Sequence, residues 1–512
     1  MAHQVRGRGG PRRAVPRVRR TGRSRLRPHP AAPPRAGEPM TGTELVLYLD
    51  GVPAGTFWQN AAGNIGFVYD ASWRANPRAY PVSMSMPLAA TEHRAKPAKA
   101  FLWGLLPDSS GALARIAREN HVSATNPMAL LRAVGRDAAG AVQLLPPGAT
   151  ASDAGPRNVN IATLTGSEFE KMMISLANHD EDWDPGAYGG RWSLAGAQSK
   201  VALTKTSDGA WGVPQDSTPT THILKPGIRG FSNHEINEYL SQRAAQALGM
   251  SAAQTELIDA GEAGAVLVST RFDRALEGEV LHRLHQEDMC QALSVLPDKK
   301  YQKDGGPGLA QIADLLSNTS LGDRGNSRRA MFDAVVFNVA IAGTDAHAKN
   351  FALMLNAEGQ QLAPLYDMAS ALPYEKRLTK SGPLLAPMRV DGEDRFTAIG
   401  RKHLIATARR FSIPAAEAEE RIDRILTGTA DAYTAAADEL TGEVRTSAHE
   451  IAHAVRDWGE LRGWIEKPPT IITSPAKTAV PKQGRVPKGT PAGGQYDVKV
   501  NDEAPDIDLT NV

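Results

Sequence analysis

One cysteine, Cys290, in 512 residues excludes a disulfide framework. It fits a reducing compartment, and nothing in the sequence sets a base beside Cys290 to make it a nucleophile. The histidines are scattered, so no zinc-ligand spacing forms. No apolar run reaches the ~18 residues of a membrane-spanning helix, so a cytoplasmic location with no membrane partner is expected. The GxxxxGK[ST] phosphate loop is also missing. What remains is 41% hydrophobic, ample for real cores, and long enough for about two to four domains.

The net charge of +2 conceals an asymmetry. Residues 1–40 hold eleven arginines against the single acid Glu38, a net of +10, which leaves −8 for the rest. This head is rich in Pro and Gly and is expected to be disordered. Translation is expected to start at Met40, just before the first strand. If the head is translated, it would bind nucleic acid through phosphates without sequence preference. An export signal is not expected, because no apolar segment follows Arg19-Arg20. The tail 467–512 is rich in Pro, Gly, Lys and Thr, and reads as a second disordered segment.

Between them lies the chemistry. Gly343-Thr-Asp-Ala-His-Ala-Lys-Asn350 sets Asp345 five positions before Asn350, and Asp367 follows in Leu365-Tyr-Asp-Met-Ala. Phosphoryl transfer needs one carboxylate to orient or deprotonate the attacking hydroxyl, and an amide oxygen with a second carboxylate to hold Mg²⁺. Magnesium keeps few protein oxygens beside the substrate phosphates, so Asn350 and Asp367 suffice as its ligands. Phe332–Ile341 reads as a buried helix that presents this loop rigidly. Taken alone, the short Asp-x-His-x-x-Asn pattern is also compatible with a plain polar loop.

The parts of a nucleotide site precede it in consistent order. Ser193-Leu-Ala-Gly-Ala-Gln-Ser-Lys200 is a small-residue loop whose N–H groups, around Ala195, Gly196, Ala197 and Gln198, suit close approach to phosphates. It leads into a strand from Val201, and a second strand ends at Lys225, a point charge for phosphates. A helix over Asn233–Leu248, stopped by Gly249, carries Glu238 as a possible partner of Lys225. The strand Ala265–Ser269 then runs into Thr270-Arg-Phe-Asp-Arg274, whose backbone, with Phe272, would meet adenine.

These segments resemble the HipA-type serine/threonine kinases, toxin halves of bacterial toxin–antitoxin pairs. Besides the motifs above, the resemblance rests on Gln286-Glu-Asp-Met-Cys-Gln291, Lys300-Tyr-Gln-Lys-Asp-Gly-Gly-Pro-Gly308, Phe101-Leu-Trp-Gly-Leu-Leu-Pro-Asp108 and Val134-Gly-Arg-Asp-Ala-Ala-Gly-Ala-Val142, and covers residues 43–455. It implies an α+β, two-lobed fold of the protein-kinase or phosphatidylinositol-kinase kind, with a small N-terminal α+β domain and a helical C-terminal lobe. The domains would be 41–145 (N-terminal), 146–160 (linker) and 161–466 (kinase). It further implies ATP and Mg²⁺ as cofactors and Asp345 as catalytic base, with His347 and Lys349 beside it in the catalytic loop. Asn350 and Asp367 would hold the metal, Lys225 the phosphates, and Arg271, Phe272 and Asp273 the adenine end. Ser193 matches the serine that members autophosphorylate, which would switch the kinase off. The implied partners are a small helix-turn-helix antitoxin, DNA reached only through it, and a protein substrate such as an aminoacyl-tRNA synthetase. Thr270 and Pro226-Gly227 depart from the family pattern. Two alternatives stay open: a lipid or small-molecule kinase, and a catalytically weak co-repressor subunit.

Overall fold

The computed structural model describes residues 43–149, 154–155, 157–178, 192–215, 217–319 and 321–466; the head and the tail expected to be disordered lie outside these. From Thr43 alternate side chains are apolar, and Leu45, Leu47 and Leu49 are buried on one face of the strand Thr43–Leu49. The Asp50-Gly51 turn returns the chain into Val52–Gln59. An antiparallel sheet results, in the order Glu92–Arg94, Ile65–Tyr69, Val52–Gln59, Thr43–Leu49, Val142–Leu145. Helices Ala95–Gly104, Ser110–Glu119 and Pro127–Val134 complete this small α+β domain. Phe57 stacks on Phe101 of the first helix at 5.9 Å.

The second sheet runs Thr255–Asp259, Ala265–Thr270, His222–Pro226, Val201–Lys205, Trp211–Pro214, Ile161–Thr163. Lys225 sits near the end of a central strand, where the sequence placed it. The helical lobe is built from His234–Ala247, Leu309–Ser317, Leu321–Ala340, Arg401–Arg410, Ala415–Asp438 and Gly442–Leu461 around the largest core.

Three features depart from the sequence reading. The stretch 146–160 is not only a connector, because Arg157–Asn158 forms a strand paired with Val280–Arg283. The sequence also splits Ala415–Gly428 from Asp431–Glu439, whereas one helix spans Ala415–Asp438. Gly428 is there for packing: a Cβ on it would come within 2.8 Å of Leu248 Cδ2. Finally, the hairpin of Arg274–Glu277 with Val280–Arg283 lacks clear alternation and escaped the sequence reading.

Candidate active site

The helix Leu321–Ala340 is apolar nearly all round in its second half, and Phe332, Val336 and Phe337 are fully buried. It therefore fixes the loop that leaves its end. In that loop the Asp345 carboxylate is half exposed. Asn350 Nδ2 donates to the Asp345 carbonyl at 2.7 Å, which ties the two ends of the motif together and turns the amide oxygen away from that carbonyl. Tyr301 Oη donates to Asp345 Oδ1 at 2.5 Å. Burial, reinforced by the Asp345 charge, pushes the phenol pKa well up, so Tyr301 remains a donor. His347 is buried, with Nε2 3.6 Å from Asp345 Oδ1, too long for a hydrogen bond. Burial lowers its pKa and keeps it neutral, and its Nδ1 has no partner among the described residues.

Asp367 adopts a left-handed backbone (φ 57°). The following turn is clamped by Asn237, which donates to Ser370 O at 2.7 Å and accepts from Ser370 N at 3.0 Å. Lys225 lies between two carboxylates, 2.6 Å from Glu238 Oε1 and 2.6 Å from Asp367 Oδ1. Burial opposes ionisation of Asp367, but Lys225 and Lys200 outweigh it and hold the carboxyl well below the usual range. The pairing with Glu238 thus follows the sequence reading. Lys200 escaped it, and burial drops this ammonium to about 8, within reach of the same charges.

The small-residue loop is docked. Ser193 Oγ donates to Leu105 O at 2.6 Å and its N–H to Asp137 O at 2.8 Å, both in the N-terminal domain. Gln198 Nε2 donates to Pro226 O at 3.2 Å, and Lys200 Nζ to Ala195 O at 2.9 Å. Gly196 has φ +103°, and a Cβ there would lie 2.4 Å from Lys200 Nζ, so only glycine fits this bend.

At the other end, Arg271, Phe272 and Asp273 line the same cleft. The charged side chains of this trio are already engaged. Arg271 forks onto Asp273 at 2.9 and 2.8 Å, and Asp273 accepts from Gly140 N at 2.7 Å. Both are buried and serve the domain junction, leaving Phe272, 5.7 Å from the Tyr366 ring, as the side chain available to a base.

The ion pairs of that junction run mostly one way, from acids of the N-terminal domain to cations of the kinase body, while Asp273 and Glu287 of the kinase body accept from Gly140 N and Met84 N. Asp137 takes Arg274 at 2.9 Å and Arg283 at 2.8 Å. Asp50 takes His282 at 2.9 Å and the Arg283 N–H at 2.8 Å. Asp108 takes Lys300 at 3.1 Å and also Lys349. Lys349 thus turns its ammonium toward Asp108, a contact that no local pattern signals.

All the expected cofactor residues, with Asp345, His347 and Lys349, line one cleft of about 810 Å³. Ser193 does not; it lies buried beneath it. Among the described residues no cluster of three or more His, Cys, Asp or Glu could hold a metal. One ionised carboxylate and one amide oxygen, Asp367 and Asn350, fit a magnesium ion that takes its other ligands from phosphates and water. No helix among the described residues is long and apolar enough to cross a membrane.

Comparison with known proteins bears on the family and the fold. The HipA N-terminal domain model matches residues 45–145 and the HipA-like C-terminal domain model residues 192–433. The protein Y4mE of Sinorhizobium fredii, named as a candidate kinase, is 35% identical over 407 residues, covering 77% of this chain and 94% of its own. The serine/threonine-protein kinase toxin HipA of Shewanella oneidensis is 29% identical over 320 residues, covering 60% of this chain and 70% of its own. A solved structure of S. oneidensis MR-1 HipA, in complex with HipB and operator DNA, superposes with a TM-score of 0.69 at 24% identity. It covers 81% of this chain and 97% of that one, and shares the two-lobed α+β kinase-like fold. The chain belongs to the HipA family of kinase toxins.

Proposed function

We propose that this chain is an ATP- and Mg²⁺-dependent serine/threonine protein kinase acting as the toxin of a toxin–antitoxin pair. The observation that carries the reading is the convergence of Lys225, Asp345, Asn350 and Asp367 on one cleft, with Lys225 bonded directly to Asp367. Asp345, half exposed at the cleft, accepts the proton of the acceptor hydroxyl. Asn350 and Asp367 hold magnesium, which neutralises charge on the phosphates. Lys225 and the N–H groups of residues 195–198 hold the phosphates, and Phe272 flanks the base. Among the alternatives, the N-terminal domain match favours a protein kinase of this family over a lipid kinase.

Ser193 is the proposed autophosphorylation site. Its hydroxyl is 1% exposed and bonded to Leu105 O, so phosphate can be added only after the loop leaves its seat. A phosphate of about −1.5 to −2 charge then prevents redocking. The proposed partners are a small helix-turn-helix antitoxin, through which DNA is reached, and a protein substrate of the translation machinery such as an aminoacyl-tRNA synthetase. The S. oneidensis complex with HipB and operator DNA supports the first.

The test is phosphate transfer from labelled ATP by the purified chain, with and without EDTA. Asp345→Ala and Asp367→Ala are expected to lose about 100-fold or more, since each removes roughly 3 kcal/mol of transition-state stabilisation. Wild-type-like incorporation in either variant refutes the assignment of roles. Absence of transfer by the wild type refutes the kinase reading itself.

A further inference from the structure

The segment Leu105-Leu-Pro-Asp108 belongs to the N-terminal domain, yet it touches two loops of the proposed kinase site. Its backbone meets the phosphate loop: Pro107 bridges to Gly196, and Asp108 N donates to Gly196 O at 3.0 Å. Its carboxylate meets the catalytic loop, where one oxygen of Asp108 takes Lys349 and the other takes Lys300 at 3.1 Å. Lys349 is the residue next to Asn350 and four beyond Asp345. The side chains are nearly closed to water, 11% exposed for Asp108, 4% for Lys349 and 10% for Lys300.

An ion trio so placed is strongly directional. Water cannot substitute for either partner, so the position of the carboxylate dictates where both ammonium groups rest. Lys349 carries the backbone of the 3₁₀ turn Ala348–Asn350, and its carbonyl accepts from Tyr366 Oη at 2.9 Å, one residue before Asp367. The link therefore runs from the N-terminal domain through Lys349 to both proposed metal ligands.

We infer that Asp108 is a positioning residue of the kinase site, through which the N-terminal domain sets the catalytic loop in register with the phosphate loop. Asp108 touches no reacting atom; it acts through Lys349 and, by its backbone, through Gly196. The kinase site is accordingly built by two domains. This rests on the kinase reading above.

The two contacts can be separated. Asp108→Asn keeps the backbone bond to Gly196 and removes only the charge that holds the lysines. Nucleotide binding should therefore survive while turnover falls. The experiment compares the full chain with Asp108→Asn by calorimetric titration of a non-hydrolysable ATP analogue with Mg²⁺ and by phosphate transfer. The expected result is unchanged stoichiometry, a Kd within about threefold of wild type and a kcat at least tenfold lower. A merely structural role would lower the stoichiometry instead, because part of the protein would be unfolded. Should two unpaired ammonium groups prevent folding, the double variant Asp108→Asn/Lys300→Met removes one of them and the same readouts apply. Should that variant also fail, Asp108→Glu keeps the charge but displaces it by one methylene, and a kcat about tenfold lower is again expected. Full stoichiometry with kcat within threefold of wild type in the first foldable variant overturns the inference, as does a loss confined to stoichiometry. A wild-type chain that transfers no phosphate overturns the kinase reading and this inference together.

Discussion

Replacing Lys225 by methionine separates what the lysine does for the fold from what it does for nucleotide. In the folded protein its ammonium is 2.6 Å from each of two carboxylates. Their exposures differ: the Glu238 side chain is 3% exposed and that of Asp367 30%. Asp367 can recruit water once the lysine is gone, whereas Glu238 cannot. Leaving one buried charge uncompensated costs on the order of 3–5 kcal/mol, a fall in Tm of roughly 5 °C for a body of this size. The loss should depend on pH. Without its counterion Glu238 has a folded pKa above the ordinary value of about 4.3. A raised carboxyl pKa gives stability that is present below the unfolded pKa and is lost as pH rises through the folded one. Lys225→Met should thus melt close to wild type near pH 4 and far below it at pH 8. Adding Glu238→Gln should recover most of the Tm at pH 8 without recovering phosphate transfer, because the phosphates still lack their cation. Thermal melts at both pH values, with a transfer assay on each variant, decide the matter. An unchanged Tm for Lys225→Met, or a double variant that melts no higher at pH 8, would refute the reasoning.

Three further outcomes are expected. Glu287 is 1% exposed and accepts from Met84 N at 2.7 Å; burial pushes its carboxyl up to about 8. Stability should therefore decline as pH rises from about 4.3 toward 8, and Glu287→Gln should flatten this decline and melt higher than wild type at pH 8. Ser193→Asp should weaken ATP affinity by tenfold or more in calorimetry, because a buried carboxylate is repelled by Leu105 O and unseats the loop, whereas Ser193→Ala loses one hydrogen bond only and should stay within about threefold. Equal affinities would remove the switch. Gly428→Leu should cost about 1–3 kcal/mol in chemical denaturation, since the new side chain must displace Leu248; an unchanged midpoint would show that the helices have room to move apart.

Much of this architecture was legible in the sequence, where local pattern and tertiary demand agree. Leu45, Leu47 and Leu49 alternate and are buried together; Phe332 to Ile341 are apolar but for Asp333 and Asn338 and include the buried end of a helix. Lys225 and Glu238 were legible as a pair because a strand end followed at once by a helix returns the chain over itself. Illegible were contacts made across domains. Asp108 lies 192 residues from Lys300, and no local property of Leu-Leu-Pro-Asp distinguishes an ion-pair acid from a solvated one. Arg271 and Asp273 are expected at the adenine end because the family resemblance implies it; the fork of Arg271 onto Asp273, and the bond of Gly140 N to Asp273, appear only in three dimensions. Tyr301 sat within a family motif, but its bond to Asp345 depends on how a distant loop folds back.

The mostly one-way ion pairing of the domain junction bears on truncated forms. A fragment starting after the N-terminal domain would shed Asp50, Asp108 and Asp137 together and keep Arg271, Arg274, Arg283, Lys300 and Lys349 on a newly bared face. Arg271 and Arg274 would still share Asp273, whereas Arg283, Lys300 and Lys349 would lose their acids, and the excess of cations forms a polyanion trap. Such a fragment should co-purify with nucleic acid, releasing it as salt is raised. Retention of DNA or RNA by a shortened kinase body would then report a missing domain and not a biological ligand.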